Sequence, residues 1–128
     1  MNGDRLQALA RDRAEELPGA AMSHPFGPEH EVYKVRGKVF MLLTELDGDP
    51  VLTLKAEPED ATALRSAYPQ IIPGYHMNKR HWITVRPGEG VDAALARELV
   101  TDSYRLVVAG LPRDQRPVDP ESFGGPQA

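Results

Sequence analysis

Three runs rich in β-branched, aromatic and aliphatic residues, at 32–35, 38–43 and 51–55, are separated only by short breaks. This spacing limits the fold more than any other feature of the chain. Arg36-Gly37 leaves two residues between the first two runs, the length of a tight hairpin turn. Leu46-Asp47-Gly48-Asp49-Pro50 makes the next reversal, with Asp-Gly as its strongest turn signal. The expectation is three consecutive antiparallel strands, a meander from 32 to 55.

Helical spacing flanks the meander. Leu6, Leu9, Ala10, Arg13, Ala14 and Leu17 recur every three or four residues, which predicts an amphipathic helix over 4–17 with Asp4 as N-cap and Pro18-Gly19 as its stop. The loop His24-Pro25-Phe26-Gly27-Pro28 cannot continue regular structure, and Phe26 is expected to plug the sheet edge from it. A second helix is predicted over 58–67, starting at Pro58 and stopped by Pro69, with Ala61, Leu64, Arg65 and Tyr68 on one face. A strand follows at 82–85. The longest helical pattern runs over 91–109, with Leu95, Leu99, Tyr104 or Leu106, and Val107 on its buried side and Gly110 as C-cap. The fold class is α+β: two layers, an antiparallel sheet with helices packed on one face. The uncovered face is then the natural place for function.

At 128 residues the chain is long enough for one domain, assigned to 1–111. Residues 112–128 hold four of the 12 prolines and Gly124-Gly125, and are expected to form a flexible tail. The absence of Cys excludes disulfides, thiolate catalysis and cysteine-ligated metals. No apolar run approaches membrane-spanning length and no secretory signal is visible, so a cytoplasmic monomer without membrane association is the expectation. No Walker or Rossmann glycine pattern is present, and neither cofactor nor metal is expected. A net charge of -4 argues against a generally sticky nucleic-acid binder, so any anionic partner must meet a local patch.

The densest candidate patch is 73–85, where His76, His81, Trp82 and Lys79-Arg80 fall within seven residues. A two-residue turn at Asn78-Lys79 would pair Met77 with Arg80 and set His76 opposite His81. Trp82 is expected to bury its indole between the sheet and a helix. One reading assigns Lys34, Arg36, Lys38, Lys79 and Arg80 to phosphates, with His76, Asn78 and His81 near sugars or bases. The same lysines would also serve as solvated guards against edge pairing. The alternative reading is capture of a small aromatic or anionic ligand, with Tyr33, Tyr75 or Trp82 stacking and Arg80 or Lys38 pairing its charge. A metal at His76 and His81 lacks a third ligand, because no acidic residue lies between Ile71 and Arg86. Ser103, Tyr104 and Asp102 could be joined to these imidazoles, but nothing in the sequence aligns them, and the balance leans away from an enzyme.

Pro25-Phe26-Gly27, Tyr33-Lys34-Val35, Gly37-Lys38, Leu54-Lys55, Tyr68-Pro69 and Ser103-Tyr104 stand in a distinctive order around Gly74-Tyr75-His76-Met77-Asn78-Lys79-Arg80-His81-Trp82. In these motifs the sequence resembles the MmcQ/YjbR family of small bacterial proteins, from about residue 25 to 112. The resemblance implies a CyaY-like, frataxin-like fold and a double-wing DNA-binding protein whose wings are β-hairpins. A family member named from an antibiotic-biosynthesis cluster makes drug binding or resistance the alternative that it implies.

Overall fold

The structure, a computed structural model, describes residues 1–25, 27–74 and 77–123. In chain order its elements are α1 (Gly3–Glu15), β1 (Ala20–Ser23), β2 (Glu31–Val35), β3 (Lys38–Leu46), β4 (Asp49–Lys55), α2 (Pro58–Ala67), β5 (Ile71–Pro73), β6 (Trp82–Val85) and α3 (Ala93–Ala109). A 3₁₀ turn, Arg113–Gln115, follows. The six strands form one antiparallel sheet in the order β1-β2-β3-β4-β6-β5.

Both meander turns contain two residues. Val35 faces Lys38 across Arg36-Gly37, and Leu46 faces Asp49 across Asp47-Gly48. All four turn residues have positive φ, at 50° and 79° in the first turn and 54° and 84° in the second. That backbone twist matches the twist of paired strands, which makes such turns efficient hairpin closures.

Strand alternation sorts the side chains. Tyr33, Met41, Leu43, Leu52, Leu54, Ile83, Val85 and Ile71 join a single core cluster with Leu6 and Ala10 of α1, Ala61 of α2 and Val100 and Tyr104 of α3. Their strand neighbours Val32, Val51, Thr53 and Thr84 are buried but stand outside that cluster. All three helices therefore cover one face, as the sequence pattern predicted. α1 packs on α3 and β4, while α3 lies across β3 and β4. The β2–β3 register skips Phe40, whose ring meets Tyr33 and Tyr104 edge-on at centroid distances of 6.4 and 5.5 Å.

Several expectations need correction. α1 is capped by Asn2, whose side chain accepts the Arg5 N–H at 2.8 Å, and Asp4 lies in the first turn instead. β1 carries no β-branched residue and was not visible in the pattern; it forms because β2 offers it a free edge, with Ala20 opposite Val35. Residues 112–123, expected within a flexible tail, make contacts with the domain. Arg105 donates to the carbonyls of Pro120 and Glu121, Arg36 donates to that of Gln115, and Phe123 packs 5.6 Å from the Tyr104 ring. The expectation of flexibility at 124–128 and the placement of Phe26 lie outside the described residues.

Candidate functional site

The register brings two segments to one end of the sheet. Leu54 lies opposite both Met41 and Ile83, and Lys55 lies opposite Trp82, so the start of β3, the end of β4 and the start of β6 share that end. The Arg36-Gly37 turn and the connection before β6 therefore project in the same direction. Lys34, Arg36, Lys38, Lys55, Lys79 and Arg80 gather there, including all four lysines of the chain.

None of these six cations is ion-paired among the described residues. The ion pairs lie elsewhere: Arg11 with Glu31 at 2.6 Å, Arg13 and Arg97 with Glu16, Arg86 with Asp49, and Arg105 with Asp102. Arg36 makes one neutral contact, from its Nε to the Gln115 carbonyl at 3.0 Å. Arg65 of α2 extends the patch, lining a recess with Lys79 and Arg80, and its buried Nη1 has no acceptor among the described residues. Sequence reading placed Arg65 on a packed helix face and so missed it.

The connection before β6 is not a two-residue hairpin. Pro73 pairs with Ile83 and the Gly74 N–H donates to the Trp82 carbonyl, one residue out of step with a Met77–Arg80 pairing. The register is set by Ile71 and Ile83, which must both face the core. The reversal is made by Asn78 to His81, where the His81 N–H donates to the Asn78 carbonyl at 3.2 Å and Asn78 Oδ1 accepts the Arg80 N–H at 2.9 Å. Asn78 thus shapes the tip that presents Lys79, Arg80 and His81, all exposed. His76 and Tyr75, and with them the proposed His76–His81 pair, lie outside the described residues.

The expectations for two aromatic residues change. Tyr33 is 3% exposed, its ring is in the core and its hydroxyl donates to Glu31, so it cannot stack a ligand. Trp82 alternates with the core residue Ile83, so its half-buried indole lies on the helix-free face and not between sheet and helix. Its cross-strand neighbour there is Lys55, a residue that sequence reading did not select, although its alternation with Leu54 carries the signal. The hydroxyls considered for catalysis are engaged. Ser103 Oγ donates to the Phe40 carbonyl and accepts the Lys55 N–H, and Tyr104 donates to the Pro18 carbonyl.

A single antiparallel sheet, helices on one face and unpaired cations at one end define a small α+β domain with a basic sheet end. The chain belongs to the YjbR family, whose model matches residues 15–106. YbdF of Escherichia coli O157:H7, an uncharacterized protein, is 49% identical over 121 residues, covering 94% of this chain and 99% of that one. YjbR of Escherichia coli K12, also uncharacterized, is 32% identical over 99 residues, covering 77% and 84%. The crystal structure of Deinococcus radiodurans protein DR2400 superposes with a TM-score of 0.79 at 35% identity, covering 91% of this chain and 92% of that chain.

Proposed function

We infer that this protein is a non-catalytic DNA-binding module that contacts phosphates through the basic end of its sheet. The observation that carries the reading is the convergence there of six cations without carboxylate partners among the described residues, contributed by the β2–β3 and β5–β6 connections and the end of β4. Cations left unpaired in the folded chain keep their charge available for a polyanion, and the acidic remainder of the surface orients the approach. Phosphate contacts of this kind position a duplex without specifying sequence.

Fluorescence anisotropy with a labelled duplex at low salt tests the reading. About five phosphate contacts correspond to a log–log salt slope near -4 to -5. Lys79→Glu with Arg80→Glu should weaken binding and flatten that slope while leaving the melting temperature unchanged, because both side chains are exposed. Affinity unchanged in the double variant removes the β5–β6 tip from the interface.

The placement of Lys55 across from Trp82 on the helix-free face supports a second reading, capture of an aromatic anion. It predicts quenching of Trp82 fluorescence with weak salt dependence and little DNA affinity. The two titrations on one preparation separate the readings.

A further inference from the structure

We propose that the groove between α2 and α3 is a binding site for a small amphiphilic organic cation, an apolar body carrying one ammonium group. This site shares only Lys55 with the basic sheet end, and its ligand has the opposite charge. Its volume, about 850 Å³, lies within the range of drug-sized ligand sites. Ala63, Leu64 and Ala67 of α2 and Leu95, Leu99 and Leu106 of α3 supply its apolar wall. Leu64, Leu95 and Leu106 remain partly exposed there, so an apolar body would cover surface that the fold leaves in water.

The charge of the groove argues for an ammonium. Five carboxylates line it against four cations, and three of the five, Glu57, Asp60 and Glu98, make no ion pair among the described residues. Two of the lining guanidiniums are held in place by backbone carbonyls and keep their charge. Arg116 donates to the carbonyls of Leu111 at 3.0 Å and Ala109 at 2.7 Å, and Arg105 donates to those of Pro120 at 2.8 Å and Glu121 at 3.3 Å. The remaining Arg105–Asp102 approach is a loose 3.8 Å. Lys55 lines the groove from a strand position whose side chain alternates to the other face of the sheet, and the exposed Arg113 stands beyond the end of α3. Asp102 consequently sits in a half-buried position with two carboxylates acting on it. Burial raises its pKa first, repulsion by Glu98 and Asp60 adds to this, and Arg105 opposes it. An ammonium among Asp60, Glu98 and Asp102 would relieve that repulsion while an apolar chain lies along Leu64, Leu95 and Leu99.

Hexylamine, hexanol and hexanoate share a tail and differ in charge, so methyl and amide NMR titrations of the full chain test the proposal. Hexylamine should shift the methyls of Leu64, Leu95 and Leu99 and bind about fivefold or more tightly than hexanol, the scale of one partly exposed charge interaction, with hexanoate weakest. Glu98→Gln and Asp102→Asn should each narrow the preference for the amine and leave hexanol binding unchanged. Glu98 is exposed, so its variant keeps the test valid should Asp102→Asn disturb the fold. Equal affinity for amine and alcohol in the parent protein overturns the charge assignment. Absence of shifts at the three leucines overturns the site.

Discussion

The Ser103 hydroxyl holds together two backbone groups that strand pairing leaves over. It donates to the carbonyl of Phe40, the residue skipped by the β2–β3 register, and accepts the Lys55 N–H at 2.8 Å at the end of β4. Ser103→Ala should cost about 1–3 kcal/mol for each buried group left unsatisfied, measured as a lower urea midpoint with an unchanged slope. The Glu31 carboxylate is a second structural group. Its hydrogen bond from Arg11 holds its pKa below the ordinary 4.5, helped by the Tyr33 hydroxyl and opposed by burial. A depressed native pKa contributes stability that is present above about pH 4.5 and lost as pH falls through the native value. Glu31→Gln should therefore lower the melting temperature near neutral pH and flatten its decline below pH 4.5. An unchanged acid limb would show that the Arg11–Glu31 pair contributes nothing to folding.

At the scale of elements, the two meander turns differ in an informative way. Asp47-Gly48 is a favoured pair for φ values of 54° and 84°, whereas Arg36 holds a φ of 50° that a long side chain adopts at some cost. Arg36→Asn should keep or raise the melting temperature and yet weaken duplex binding, since it removes strain and charge together. A variant that binds DNA as the parent does would exclude Arg36 from the interface. At the β5–β6 end, a Cβ on Gly74 would lie 2.5 Å from Trp82 Cβ and 3.0 Å from its backbone carbonyl. Gly74→Ala should destabilise by about 1–3 kcal/mol through overpacking, read from a thermal melt. It should also shift Trp82 fluorescence, because the ring must move with its backbone.

At the scale of the whole molecule, opposite charges are segregated. Among the described residues the sheet end gathers lysines and arginines without ion pairs, whereas Glu57, Asp60 and Glu98 stand without ion pairs beside the α2–α3 groove, so a net charge of -4 is unevenly distributed. Added salt should weaken duplex binding steeply and the binding of a hydrophobic amine far less, since the amine also buries apolar surface. The three helices, the meander strands and β6 were legible in the sequence because their signals are local. Pro58 and Pro69 bracket α2, Gly110 ends α3, and Arg36-Gly37 and Asp47-Gly48 close hairpins through interactions a few residues apart. Five of the six cations at the sheet end, Lys34, Arg36, Lys38, Lys79 and Arg80, could be named from the sequence for the same reason, as they stand in or beside turns. Only the tertiary structure decided that Tyr33 is core, that Trp82 faces away from the helices, that Lys55 joins the patch, and that residues 112–123 dock on α3. Each of these depends on strand register or on packing between residues distant in sequence. A one-residue change of register exchanges the faces of a strand, and the hydrophobic contacts that select one register exist only once the sheet and helices have come together.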